Sequence, residues 1–97
     1  NIASATSSPN PQAYCRSDDG KKVVRVHPAA FGDKMQAEVS HKGALQYILR
    51  CECNEDYLYY CTDGDNDTPR VFTLELDGKT GLYEGNRQTT RLNCRLY

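Results

Sequence analysis

The sequence predicts a small all-β domain held by disulfides, a sandwich or a barrel, and three observations carry that expectation. Period-two alternation of apolar and polar residues recurs along the chain, clearest in Met35, Ala37, Val39 and again in Leu45, Tyr47, Leu49, Cys51. No segment keeps a 3.6-residue period, and polar turns separate the alternating runs at short intervals. Five cysteines stand in 97 residues, a density that suits an oxidising compartment better than the cytosol. A chain of this length buries little core, so covalent staples are expected.

Residues 1–12, NIASATSSPNPQ, hold almost nothing apolar and read as a disordered tail. Ala13 to Arg16 opens the domain. Ser17, Asp18, Asp19 and Gly20 form a turn into Lys21 to His27, where Lys22, Val24 and Val26 share one side and Val23, Arg25 and His27 the other. Pro28 ends that strand. Ala29 to Lys34 is a connector, with Phe31 tucked under the sheet and Gly32 turning the chain.

The central hairpin is expected to turn through His41, Lys42 and Gly43, pairing Ser40 with Ala44. Val39 then faces Leu45, Ala37 faces Tyr47 and Met35 faces Leu49. A polar link, Asn54 to Asp56, leads to Tyr57 through Cys61, an aromatic run suited to a half-buried pleated surface. Arg70 to Leu76 alternates with Phe72, Leu74 and Leu76 on one face. Asp77 and Gly78 signal a two-residue hairpin, Thr80 to Glu84 a return strand, and Gly85 and Asn86 the next turn. The final run sets Gln88, Thr90, Leu92, Cys94 and Leu96 on one face.

Composition excludes some partners. A net charge of −1 with both signs interspersed gives no field for nucleic acid or an anionic membrane. No apolar run reaches the ~18 residues of a membrane span, and no signal segment is visible, so the chain reads as soluble and mature; a monomer is expected.

Several constellations invite chemistry. Cys51, Cys53 and Cys61 with His41 or His27 would be a zinc site, but one residue between two thiolates fits the usual turn-borne ligand pair poorly. Asp63, Asp65 and Asp67 begin like a calcium loop, yet Thr68 stands where its glycine belongs and Leu74 where its closing acid belongs. Asn66, Asp67 and Thr68 make a glycosylation sequon at Asn66, followed by Pro69. His27, His41, Glu38 and an arginine would serve a secreted ribonuclease, although nothing in the sequence brings them together. No phosphate-cradling glycine loop, nucleophile elbow or HExxH is present. Five cysteines allow two bridges and one orphan in many ways, among which sequence alone does not choose.

One order of features resembles a known family. An aromatic-cysteine pair (Tyr14, Cys15) opens the first strand, and an Asp-Gly turn (Asp19, Gly20) enters a basic, valine-rich second strand. A glycine-turn hairpin follows, then Cys53 just before the fifth strand. From Tyr14 to Thr62 this layout is similar to the MAX effectors, the Magnaporthe avirulence and ToxB-like proteins secreted by plant-pathogenic ascomycete fungi. The resemblance implies a six-stranded antiparallel β-sandwich of two three-stranded sheets over residues 13–76, with 77–97 a C-terminal extension packed on it as part of the same domain. It also implies a Cys15–Cys53 bridge. The CxC of Cys51 and Cys53, together with Cys61 and Cys94, departs from the family pattern and leaves open which CxC member pairs with Cys15. The expected second bridge is Cys61–Cys94, with Cys51 free.

The function the resemblance implies is that of a secreted, non-enzymatic virulence or avirulence protein, with entry into the host cell left open, that needs no cofactor and binds a host plant protein. The partner would be a heavy-metal-associated-type domain or an immune receptor carrying one. Strand addition at an exposed sheet edge is the expected means, with strand two as the edge and Lys22, Val23, Arg25 and His27 flanking the contact. A ribonuclease-like effector and a secreted inhibitor or antimicrobial protein are the alternatives.

Overall fold

Eight antiparallel strands follow one another around a closed barrel, each bonded to the next and the last to the first. They are β1 (Ala13–Arg16), β2 (Lys22–Pro28), β3 (Met35–His41), β4 (Ala44–Glu52), β5 (Tyr59–Thr62), β6 (Val71–Leu74), β7 (Thr80–Gly85) and β8 (Gln88–Leu96). The structure is a computed structural model and describes residues 12–29, 34–64 and 69–97. The tail through residue 11, Phe31, Gly32, Asp65, Asn66 and Asp67 lie outside the described residues.

The all-β, disulfide-stabilised class expected from the sequence is what the structure has, but the six-stranded sandwich is not. Two three-stranded sheets would leave four edges. Here 77–97, expected as an appendage, supplies β7 and β8, and β8 pairs with β1 from Ala13↔Leu96 to Arg16↔Asn93. Closure leaves far less edge than a sandwich exposes.

Alternation along each strand fills the interior. Val24 and Val26 of β2, Val39 of β3, Leu49 of β4, Phe72 and Leu74 of β6, Leu92 of β8, and the cysteines Cys15 and Cys61 are fully buried. An eight-stranded barrel has an interior just wide enough for side chains, and these residues occupy it. Small residues make the remaining fit. A Cβ on Gly81 would lie 2.7 Å from Cys94 Sγ and 3.3 Å from Phe72 Cε1.

Both bridges differ from the expected pairing. Cys15 bonds Cys94 and Cys51 bonds Cys61, while Cys53 is free and exposed. Each joins residues directly opposite one another on neighbouring strands. The Cys15–Cys94 bond crosses the closing seam. The Cys51–Cys61 bond crosses β4–β5, which has only the rungs Arg50↔Thr62, Cys51↔Cys61 and Glu52↔Tyr60. Inward phase decides the geometry: Cys51 points to the core with Leu49, whereas Cys53 lies beyond the end of β4.

The β3–β4 hairpin turns on two residues, not three. His41 pairs with Ala44, and Lys42 and Gly43 both have positive φ, 50° and 84°, the turn whose twist matches a hairpin. The expected register would have set Val39 against Leu45. Instead a bulge between Val39 and Ser40 lets Gln46 fall out of the ladder, so Val39 faces Tyr47, Ala37 faces Leu49 and Ser40 faces Leu45. Leu45 is thereby turned outward.

Asp77 and Gly78 sit in a wider turn than expected. The amide of Glu75 donates to the Thr80 carbonyl at 2.9 Å, and Asp77 Oδ1 accepts from the Lys79 and Thr80 amides at 2.8 and 3.1 Å. Leu76, expected on the inner face, is exposed in that turn. The β7–β8 turn is the two-residue one, formed by Asn86 and Arg87, φ 52° and 62°.

Candidate binding surfaces

The premise that β2 is an edge does not survive the ladder. It bonds β1 from Arg16↔Val23 to Ala13↔Val26 and β3 along its whole length. Of the residues expected to flank a contact there, Val23, Arg25 and His27 share the outer wall, and Arg25 is exposed. Lys22 points the other way and caps one barrel end, its Nζ 5.1 Å from the Tyr83 ring centroid. Burial lowers the Lys22 pKa, and burial likewise raises that of Tyr83. Beside them Arg70 lies over the Tyr47 ring at 3.6 Å and bonds Asp63 at 2.9 Å. Together these side chains close that end of the barrel.

Among the described residues, an open edge exists elsewhere. β4 is nine residues long, but β5 bonds only Arg50, Cys51 and Glu52. Among the described residues, Ala44 to Leu49 has a ladder partner on the β3 side alone. Leu45 and Ile48 lie on this stretch and are 56% and 52% exposed. Exposed apolar residues beside unpaired N–H and C=O groups are the arrangement that strand addition uses. The sequence hid Leu45, because strict alternation put it in the core; Ile48, opposite Glu38, was legible as an outward isoleucine.

A second surface is the outer wall of β3, β2, β1 and β8. Register sets Glu38, Arg25, Tyr14 and Arg95 in one row across the four strands. Arg25 Cζ and Arg95 Cζ lie 5.7 and 5.9 Å from the Tyr14 ring centroid, within the reach of a cation–π contact. Arg95 Nε also donates to Tyr97 Oη at 3.0 Å. His27 Nε2 is 3.1 Å from Glu38 Oε2, and its Nδ1 is 3.1 Å from the Pro28 carbonyl oxygen.

The ribonuclease set is therefore only half assembled. His27 and Glu38 meet, but His41 pairs with Lys22 at the other end of β2, roughly 17 Å along the strand at ~3.3 Å per residue. One acid–base partner near a phosphodiester leaves its opposite side unserved. For the zinc set, Cys51 and Cys61 are bonded to each other and cannot act as thiolate ligands; among the described residues no group of three or more His, Cys, Asp or Glu is placed to hold a metal. Asp63, first of the calcium-like acids, pairs with Arg70.

Comparison of the chain with family models, curated proteins and solved structures returned no match.

Proposed function

We propose that this chain is a secreted, non-enzymatic fungal effector that binds a host plant protein by accepting one of its extended segments along the open half of β4. The two disulfides are compatible with an extracellular protein. The likeness of residues 14–62 to the MAX effectors supports the host-directed part of the reading, and it makes a heavy-metal-associated-type domain, free or carried in an immune receptor, the first partner to try. The observation that carries the proposal is that, among the described residues, Ala44 to Leu49 has no ladder partner on the side away from β3, with Leu45 and Ile48 exposed beside it. Main-chain bonds would give affinity there and the two apolar side chains selectivity. The interior supports it too, since a lumen filled by Phe72, Leu49, Leu74 and Leu92 leaves the outside of the barrel to meet partners.

The test is affinity capture from plant tissue with the wild-type chain and with Leu45→Lys/Ile48→Lys. Both side chains are exposed, so the double variant keeps the fold and loses the captured protein. Equal capture by both proteins, with identical unfolding curves, overturns strand addition at β4.

A further inference from the structure

The whole-chain charge conceals a sorted surface. The adjacent strands β2, β1 and β8 turn Arg16, Arg25, Arg91 and Arg95 outward, and they hold no aspartate or glutamate. All the acids of a chain with net charge −1 therefore lie off these three strands. Of the acids beside them, Glu38 lies 3.1 Å from His27 and Asp18 Oδ1 accepts from Asn93 Nδ2 at 2.7 Å, while Glu84 of β7 stands opposite Thr89, away from the Tyr14 row. Among the described residues, Arg25 neighbours the Tyr14 ring, and Arg95 those of Tyr14 and Tyr97.

We propose that this wall binds single-stranded nucleic acid, with Tyr14 and Tyr97 as stacking platforms for bases and Arg25, Arg95 and Arg16 as phosphate contacts. The ring of Tyr14 divides two shallow depressions of about 420 and 580 Å³, one bordered by Arg25, His27 and the His27-paired Glu38 and the other by Arg16 and Arg95, with Tyr97 on the rim of both. Strands stand ~4.8 Å apart, so Arg25 and Arg95 spring from positions roughly 10 Å apart with the tyrosine between them. Alternation of cation and flat ring is what a single strand reads as alternation of phosphate and uncovered base. An acidic peptide would satisfy the arginines and offer nothing flat to the rings. A duplex buries its base faces, and a convex barrel wall does not enter a groove. The expectation of no nucleic-acid partner rested on net charge, which the fold redistributes strand by strand.

The experiment is fluorescence anisotropy of the full chain with fluorescein-labelled eight-nucleotide oligouridylate and oligothymidylate at low and physiological salt. Saturable, salt-sensitive binding is expected. Tyr14→Leu and the Arg25→Gln/Arg95→Gln pair should each weaken it about tenfold or more, a loss of the size seen when a stacking side chain is removed. Lys42→Gln, in the β3–β4 turn and off this wall, and Leu45→Lys/Ile48→Lys should leave it within about a factor of three, separating this wall from the β4 edge. Absence of saturable binding at low salt overturns the proposal. So does unchanged affinity in a folded Tyr14→Leu variant, or equally tight binding of labelled polyglutamate, since either would reduce the wall to bare charge.

Discussion

Cys15 and Cys94 face each other across the seam where the first strand meets the last, 79 residues apart in sequence and 4.0 Å apart at Cα. The bond closes nearly the whole chain into one loop. In the chain-entropy account its removal costs about 4.5 kcal/mol, against about 2.7 kcal/mol for the ten-residue span of Cys51–Cys61. Denaturant unfolding of Cys15→Ala/Cys94→Ala and Cys51→Ala/Cys61→Ala is expected to rank them in that order, the first near the total stability of a domain this size. Alkylation without reduction should mark Cys53 alone.

Gly81 has no room for a side chain. Its Cβ would sit 2.7 Å from Cys94 Sγ inside the barrel, and neither the bridge nor Phe72, itself fully buried, has space to retreat. Gly81→Ala should destabilise the oxidised protein by about 1–3 kcal/mol, the usual range for overpacking. The urea midpoint against wild type measures it. In the Cys15→Ala/Cys94→Ala background the penalty should shrink, because the obstructing sulfur is gone.

Arg87 occupies a left-handed position, φ 62°, in the β7–β8 turn. A non-glycine residue there costs roughly 1–2 kcal/mol, and glycine returns part of that gain as unfolded-state entropy. Arg87→Gly makes the turn Asn-Gly, the favoured pair for this geometry, and should raise stability by up to about 1 kcal/mol. A thermal midpoint that falls would count against the assigned turn.

Acid should loosen two turns. Hydrogen bonds from the Ser17 hydroxyl and then the Lys21 amide hold the Asp19 carboxyl below its ordinary 3.8, and the Lys79 amide does the same for Asp77. A carboxylate whose folded pKa is depressed adds stability above its unfolded pKa and loses it as pH falls toward the folded value. Urea midpoints should therefore drop on acidification below about pH 4. Asp77→Asn should be less stable at neutral pH and show a shallower acid slope.

Strand phases were readable because each buries one face. Val24 and Val26, Ala37 and Val39, Phe72 and Leu74, and Leu92 all point inward as their alternation requires. What escaped is whatever depends on distant partners or on a local irregularity. Nothing in β1 announces that β8 will lie beside it, so neither the closure nor the Cys15–Cys94 bond could be read from spacing. The bulge at Gln46 is a one-residue event that flips Leu45 from core to surface. The Tyr14, Arg25 and Arg95 row is likewise a product of register, assembled from three strands that the sequence holds up to 81 residues apart.

Against proteolysis, the tie between the two terminal staves has a protective effect. A single cut of the backbone anywhere between Arg16 and Asn93 yields two pieces still fastened through Cys15 and Cys94, each remaining hydrogen-bonded to its neighbours. Clipping at an exposed hairpin tip such as Lys42–Gly43 should leave the nicked molecule migrating intact until a reductant releases the fragments.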